Sequence, residues 1–196
     1  MLMKNKFLKK SIRQSIKELR QNSSSKHNEK RSTQISNHIK NINIYSQAQH
    51  VGFYFALKGE VDPRNLFTSL SSFTNKTAYY PKINIDNTLT FLRICEKTTF
   101  IQNKSGIFEP QMQHEISIQP FMLDLLLVPV VAFDLNGTRL GMGGGYYDRT
   151  LAENRPKCLI GIAYEDQLYD LLPVDPWDIK LDMVVTEKNV YCMCEN

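Results

Sequence analysis

The residues best suited to chemistry lie in one glycine-dense stretch of the chain, residues 125–151. Five of the nine glycines fall between positions 137 and 145, Arg139 lies inside this run, and Asp148 follows it. Glycine lets a backbone approach a ligand closely, arginine offers a planar fork of donors for a phosphate, and a carboxylate can hold Mg²⁺. The stretch predicts either a phosphate-binding loop or a tight strand-to-helix turn, since crowded turns also select glycine.

The segments on both sides of the glycines would position them. The apolar run 125–131 predicts a buried strand, and residues 146–149 predict the start of a helix. A helix N-terminus presents free N–H groups and the positive end of the helix dipole, which favours an anion. The spacing matches neither the lysine-containing P-loop nor the G-x-G-x-x-G motif, so the nucleotide motifs in common use do not apply.

The rest of the chain alternates between strand and helix patterns, which is typical of an α/β fold. We expect a three-layer, mostly parallel sheet with helices on both faces, forming a single domain over residues 1–196. The basic N-terminal helices, within residues 1–45, should pack on this α/β core. The predicted strands are 51–56, 77–80, 88–94, 125–131, 158–163 and 181–186, and a short helix is expected at 167–172.

Charge is distributed unevenly along the chain. Residues 1–31 carry ten Lys or Arg and two Glu, whereas the remaining residues carry fourteen basic and eighteen acidic side chains. The basic segment lacks the interleaved aromatic residues of a nucleic-acid module, so nucleic acid is not an expected partner and a small phosphate-bearing ligand is. No apolar run is long enough to cross a membrane, and no signal-peptide core follows the basic start. A cytoplasmic monomer is therefore the expectation.

The metal-ligating and thiol residues do not form a pattern. The cysteines at 95, 158, 192 and 194 lack the paired spacing of a zinc site, and we expect reduced thiols. His114 has no partner nearby in the sequence and is expected at the surface.

The glycine-dense stretch resembles the signature of the 5-formyltetrahydrofolate cyclo-ligase family. The resemblance covers Val128-Pro129, Ala132-Phe133-Asp134 and the run Gly137-x-Arg139-Leu140-Gly141-x-Gly143-Gly144-Gly145-Tyr146-Tyr147-Asp148-Arg149. Further landmarks follow in family order at 59–62, 107–110, 172–179 and 184–186. The resemblance therefore extends from about Val51 onward, while residues 1–50 match only through Lys9 and Arg13.

The resemblance implies a reaction of one-carbon metabolism. Enzymes of this family use MgATP to convert 5-formyltetrahydrofolate into 5,10-methenyltetrahydrofolate, with ADP and phosphate as products. It also implies roles for individual residues. Arg139 and Tyr147 would be catalytic, and Asp148 and Asp178 would hold Mg²⁺. The implied ATP-binding residues are Lys9, Arg13, Arg139, Leu140, Gly141, Met142, Gly143, Gly144, Gly145, Tyr146 and Tyr147. The implied folate-binding residues are Phe55, Glu60, Met142, Gly143, Gly144, Gly145 and Tyr146.

Two other functions remain open from the sequence. One is an ATP-using ligase or kinase of the same fold that acts on another small substrate, because Phe55 stands where family members often carry leucine. The other is a non-catalytic nucleotide- or folate-binding regulator whose basic N-terminus contacts RNA. Retention of Arg139, Asp148 and Asp178 favours catalysis over binding alone.

Overall fold

The computed structural model describes residues 2–70, 75–103, 106–111 and 116–193. His114 and Cys194 lie outside the described residues. The described helices are α1 Leu2–Asn22, α2 Ser25–Lys40, α3 Asn43–Gln47, α4 Arg64–Leu70 and α5 Tyr146–Leu151. The described strands are β1 His50–Gly52, β2 Thr77–Ile83, β3 Leu89–Arg93, β4 Phe100–Gln102, β5 Phe108–Pro110, β6 Ser117–Ile118, β7 Leu125–Pro129, β8 Ala132–Phe133, β9 Arg139–Leu140, β10 Leu159–Ile162, β11 Met183–Val185 and β12 Val190–Cys192.

Eight strands form one mixed sheet in the order β12-β11-β10-β7-β1-β2-β3-β6. The five central strands, from β11 to β2, run parallel, while β12, β3 and β6 join the two edges in antiparallel pairs. The expected α/β class and mostly parallel sheet are confirmed. Carboxyl ends of the parallel strands meet at one edge, where ligands bind in open α/β folds.

The sheet is covered on both faces, as its apolar strands require. In β7, Leu125 and Leu127 pack on one face with side chains from α2, α3 and α4, whereas Leu126 and Val128 pack on the other face with Leu151 of α5. This alternation follows from the two-residue period of a strand. The expected helices on both faces are therefore present.

Helix α1 packs beside the sheet rather than on it. Its buried Ile16 contacts Val131, Ala132 and Leu140 in a separate small core near the β8–β9 hairpin. This contact brings α1 to the carboxyl edge of the sheet. No helix of the described residues is both long enough and apolar enough to span a membrane.

One predicted helix is wrong, and several short strands were not predicted. The expected helix at 167–172 is a three-residue 3₁₀ turn, Glu165–Gln167, followed by extended chain. The Tyr169 N–H donates to the Phe133 carbonyl of the β8–β9 hairpin at 2.8 Å. This backbone donor is therefore not free to form a helical hydrogen bond. Strand β12 was not expected, and it pairs with β11 at the sheet edge. Cys95, Cys158 and Cys192 are not joined in disulfides within the described part of the chain.

The amino ends of the parallel strands, opposite the carboxyl ends, are held together by one carboxylate, Asp124. Its Oδ2 accepts from the backbone N–H groups of Gln49 and His50, each at 2.9 Å, and its Oδ1 accepts from Lys157 Nζ at 2.6 Å. Despite partial burial, these donors lower the pKa of Asp124 to about 2. The carboxylate thus links the starts of β1 and β7 to the segment before β10.

Asp124→Asn should lower the free energy of unfolding by about 1–2 kcal/mol at pH 7, because the charged acceptor of three hydrogen bonds is lost. The pKa is depressed in the folded state, so the stabilisation is present above the ordinary pKa of 3.8 and is lost as the pH falls towards 2. Urea unfolding of both proteins from pH 7 to pH 2 should show the difference narrowing. The exposed Asp170→Asn serves as the control, and a difference independent of pH would contradict the electrostatic explanation.

Candidate active site

A cleft of about 930 Å³ opens at the carboxyl ends of the central strands. Its size is within the range of small-molecule sites. All fifteen residues singled out in the sequence line it: Lys9, Arg13, Phe55, Glu60, Arg139, Leu140, Gly141, Met142, Gly143, Gly144, Gly145, Tyr146, Tyr147, Asp148 and Asp178. Residues from both ends of the chain and from its middle therefore meet in one place.

The glycine-rich wall of the cleft begins with a hairpin that the sequence did not reveal. Strands β8 and β9 pair antiparallel, and their turn is held by Asp134 Oδ1, which accepts from the N–H groups of Asn136 and Thr138 at 3.0 Å. The predicted glycine loop and helix start then follow at 141–145 and Tyr146. Helix α5 has only six residues, so its dipole is small. The positive charge at this part of the cleft therefore comes mainly from the side chains of Lys9, Arg13 and Arg139.

Arg13 of α1 is joined to the glycine loop. Its Nε donates to the Gly141 carbonyl at 2.8 Å, and it lies directly beside Gly143, where an added Cβ would be 3.3 Å from Arg13 Cζ. Gly143 has φ +102°, a conformation that residues with a Cβ rarely adopt. Burial lowers the pKa of the Arg13 guanidinium, with the attraction of Asp178 opposing it. Glycine at 143 thus lets the loop and Arg13 share one narrow space.

Lys9, one helical turn before Arg13, reaches two carboxylates. Its Nζ donates to Asp175 Oδ2 at 2.8 Å and to Asp178 Oδ2 at 2.5 Å, and Asp178 Oδ2 also accepts from the Asp175 N–H at 2.8 Å. The hydrogen bond from Lys9, together with one from Asn5, lowers the pKa of Asp175. The ammonium is therefore fixed at the cleft wall rather than swinging in solvent.

Arg139 forms the other fixed cation. Its Nη2 donates to Asp148 Oδ1 at 2.7 Å, and its guanidinium carbon lies 5.5 Å from the centre of the Tyr147 ring. Within the described part of the chain, Arg139 Nε is buried with no hydrogen-bond partner. Loss of water contact raises the pKa of Tyr147 in spite of the nearby guanidinium, so the phenol stays protonated and can donate.

Glu60 and Phe55 lie together at another part of the cleft. Glu60 is 8% exposed, and its Oε2 accepts from the Leu57 N–H at 3.0 Å. The Phe55 ring lies 4.4 Å from Tyr80 and 5.2 Å from Phe100, centre to centre. This region offers an oriented carboxylate beside aromatic faces, which suits a flat heterocycle with N–H donors.

Two carboxylates of the cleft, Asp148 and Asp178, are the residues that were predicted to hold Mg²⁺. Mg²⁺ in enzymes that handle nucleotides usually takes one or two protein carboxylates, with phosphate and water oxygens filling the other positions. Asp148 and Asp178 offer two such carboxylates, each next to a basic residue. The described residues contain no group of three or more His, Cys, Asp or Glu that could hold a metal without such a ligand.

Arg20, Glu109 and Asp175 were given no role from the sequence. Arg20 lies two helical turns after Arg13 on the same side of α1, and that spacing was the available signal. Glu109 is 7% exposed, lines the cleft and accepts from Asn103 Nδ2 at 2.6 Å. No strand was predicted for its segment, which is β5, paired with β4.

Comparison with known proteins gives a consistent result. The 5-formyltetrahydrofolate cyclo-ligase family matches residues 5–187. The 5-formyltetrahydrofolate cyclo-ligase of Haemophilus influenzae is 35% identical over 177 residues, 88% of this chain and 94% of that protein. The Escherichia coli protein of the same name is 36% identical over 148 residues, 74% of this chain and 81% of its own length.

Solved structures with the same fold carry a related name. The chain superposes on 5,10-methenyltetrahydrofolate synthetase of Aquifex aeolicus with a TM-score of 0.84 and 33% identity, covering 96% of this chain and 94% of that one. The 5,10-methenyltetrahydrofolate synthetase of Mycoplasma pneumoniae gives a TM-score of 0.72 and 27% identity, with 91% and 98% covered.

Proposed function

The chain belongs to the 5-formyltetrahydrofolate cyclo-ligase family, and on that premise we propose how its cleft couples ATP to closure of a folate ring. The reaction is the conversion of 5-formyltetrahydrofolate into 5,10-methenyltetrahydrofolate. The observation that supports it most strongly is a single cleft in which Lys9, Arg13 and Arg139 share a wall with Glu60 and the glycine loop. One ligand would be rich in phosphate and the other rich in ring N–H groups.

The chemistry transfers one phosphoryl group and closes one ring. The formyl oxygen attacks the γ-phosphorus of ATP, the bond from this phosphorus to the bridging oxygen breaks, and ADP leaves. N10 then attacks the former formyl carbon and loses its proton, and the carbon–oxygen bond breaks to release phosphate. The product carries a methenyl carbon between N5 and N10. Such a reaction needs placement and charge neutralisation rather than a nucleophilic side chain.

The basic residues would hold the phosphates. Lys9 and Arg13 project from one face of α1, and Arg139 enters from β9, so three cations approach the cleft from two elements. Arg139 Nε is a buried donor without a partner in the described chain, and a phosphate oxygen would satisfy it. The protonated Tyr147 hydroxyl would donate a further hydrogen bond to the transferring group.

The residues around Glu60 would hold the folate. Its carboxylate can accept two hydrogen bonds from the aminopyrimidine edge of the pterin, and Phe55 with Tyr80 would pack against the ring face. Met142 and the glycines at 143–145 would lie between the two ligands, because this loop touches Arg13. Backbone without side chains leaves room there for the formyl oxygen to reach the γ-phosphate.

Asp148 and Asp178 would hold Mg²⁺ together with the ATP phosphates. When bound, Mg²⁺ would neutralise part of the phosphate charge. The cytoplasmic location and the monomeric state expected from the sequence stay predictions.

The decisive experiment follows methenyltetrahydrofolate by its absorbance when purified protein is mixed with 5-formyltetrahydrofolate and MgATP. One ADP should form for each methenyl product. Tetrahydrofolate without the formyl group should release no ADP above background. Bound ATP without product, even at high enzyme concentration, would favour one of the alternative functions.

Asp148→Asn should raise the Mg²⁺ concentration for half-maximal rate by about tenfold, because a neutral amide oxygen is a weaker ligand for a hard cation. A Mg²⁺ titration at fixed ATP measures this. Asp166→Asn is the matched control, since Asp166 also pairs with an arginine, Arg31 at 3.0 Å, but lies outside the cleft. An unchanged titration for Asp148→Asn would remove that residue from the metal site.

A further inference from the structure

Arg20, near the end of α1, connects three separate segments of the cleft wall. Its Nη1 lies 3.4 Å from Glu60 Oε1, and its Nη2 donates to the Val130 carbonyl at 3.0 Å. Nη1 also lies 3.9 Å from Met142 Sδ in the glycine loop. The guanidinium therefore bridges the Glu60 loop, the chain after β7 and the middle of the glycine loop.

The Glu60 carboxylate is held between two donors. The Leu57 N–H holds Oε2, and Arg20 faces Oε1. The side chains of Arg20 and Glu60 are 13% and 4% exposed, so the pair lies largely out of water, where an ion pair is weakly screened. Removal of one partner would leave the other charge buried and free to change rotamer.

Glycine at position 59 makes this arrangement possible. Its φ is +82°, and an added Cβ would lie 2.8 Å from the Cβ of Arg20. The loop that carries Glu60 thus lies directly against the backbone end of the Arg20 side chain. Close contact along the whole side chain, and not only at its tip, fixes the relation between α1 and Glu60.

We propose that Arg20 is a positioning residue for 5-formyltetrahydrofolate, acting through Glu60. It does not line the cleft, so the proposed role does not include contact with the substrate. It orients the Glu60 carboxylate towards the pterin and sets the distance between Glu60 and Met142. Helix α1 then serves both substrates, with Lys9 and Arg13 for ATP and Arg20 for the folate. The inference rests on the function proposed above.

Arg20→Met should raise the KM for 5-formyltetrahydrofolate by about tenfold, the effect of losing one hydrogen bond to a charged group. The KM for ATP and the kcat should stay within about twofold, because Lys9 and Arg13 keep their own partners. Arg20→Lys should recover part of the folate KM, since an ammonium can reach one of the two acceptors but not both. Lys17→Met is the control, because this exposed residue lies on the same helix.

A double-mutant cycle with Glu60→Gln separates positioning from support of the fold. Arg20→Met should have no further effect on folate KM once Glu60 has lost its charge. Equal effects in both backgrounds would overturn the proposal. So would a fall in kcat with a rise in both KM values, accompanied by lower thermal stability. Calorimetric titration of 5-formyltetrahydrofolate without ATP should show the same tenfold loss. A wild-type protein that forms no product would instead refute the proposed function.

Discussion

Arg139→Lys should reduce kcat/KM for ATP by about a hundredfold, although the substitution keeps the positive charge. The guanidinium has two proposed tasks in the cleft: Nη2 holds Asp148 at 2.7 Å, and Nε, which is buried with no partner among the described residues, would donate to a ligand oxygen. An ammonium group is a single point charge and cannot replace two hydrogen bonds that point in different directions, one to Asp148 and one to the ligand. Initial rates of methenyl product formation against ATP concentration, at saturating folate, measure the effect.

Arg155→Lys provides a matched control for this experiment. Arg155 also donates to a carboxylate, Asp182, at 2.7 Å, but it lies outside the cleft. Its replacement should leave rates within about twofold, because exposed ion pairs contribute little. Near-normal turnover of Arg139→Lys would show that charge alone suffices and would contradict the proposed role of the fork.

Gly143→Ala should lower kcat/KM for ATP by about thirtyfold. Two costs combine at this position. A residue with a Cβ is strained at φ +102°, and that Cβ would press on Arg13 Cζ at 3.3 Å, moving the guanidinium away from Gly141. The same assay measures the loss, and urea unfolding should show a decrease in stability of about 1–2 kcal/mol.

Gly106→Ala separates backbone strain from displacement of Arg13. Gly106 also has a positive φ, +76°, but no atom of the described residues lies within 4 Å of an added Cβ. This variant should lose comparable stability while keeping kcat/KM for ATP. If both variants lost activity equally, strain would explain the result and Arg13 would not be implicated.

The sequence predicted the parts of the site that are contiguous in the chain. Strand β7 is a continuous apolar run, and the residues of the glycine loop are adjacent in the sequence. Both could therefore be predicted from the local sequence pattern. The family resemblance implied that Lys9 and Asp178 serve the same site, but their direct contact at 2.5 Å was not predicted. Nothing in the local pattern of either segment encodes a contact between residues so far apart.

The errors have tertiary causes. The segment after Gln167 looked like a helix, but its N–H groups bind elsewhere: Tyr169 donates to Phe133, and Leu172 donates to Asp134 Oδ2 at 3.0 Å. Strands β8 and β9 have two residues each, too few for a periodic pattern. Glu109 was given no role because its burial depends on the pairing of β5 with β4, which the local sequence pattern does not indicate.

The position of α1 also determines when the protein can work during its synthesis. Lys9 is made early, but its partner Asp178 follows 169 residues later. At about 5–20 residues per second, a ribosome needs roughly ten to thirty seconds to add that segment. Ile16 also lacks its packing partners until late in synthesis, since it packs with Val131, Leu140 and Leu172. An unfinished chain therefore lacks the carboxylate that holds Lys9 at the cleft wall, so a prematurely released product should be inert rather than waste ATP.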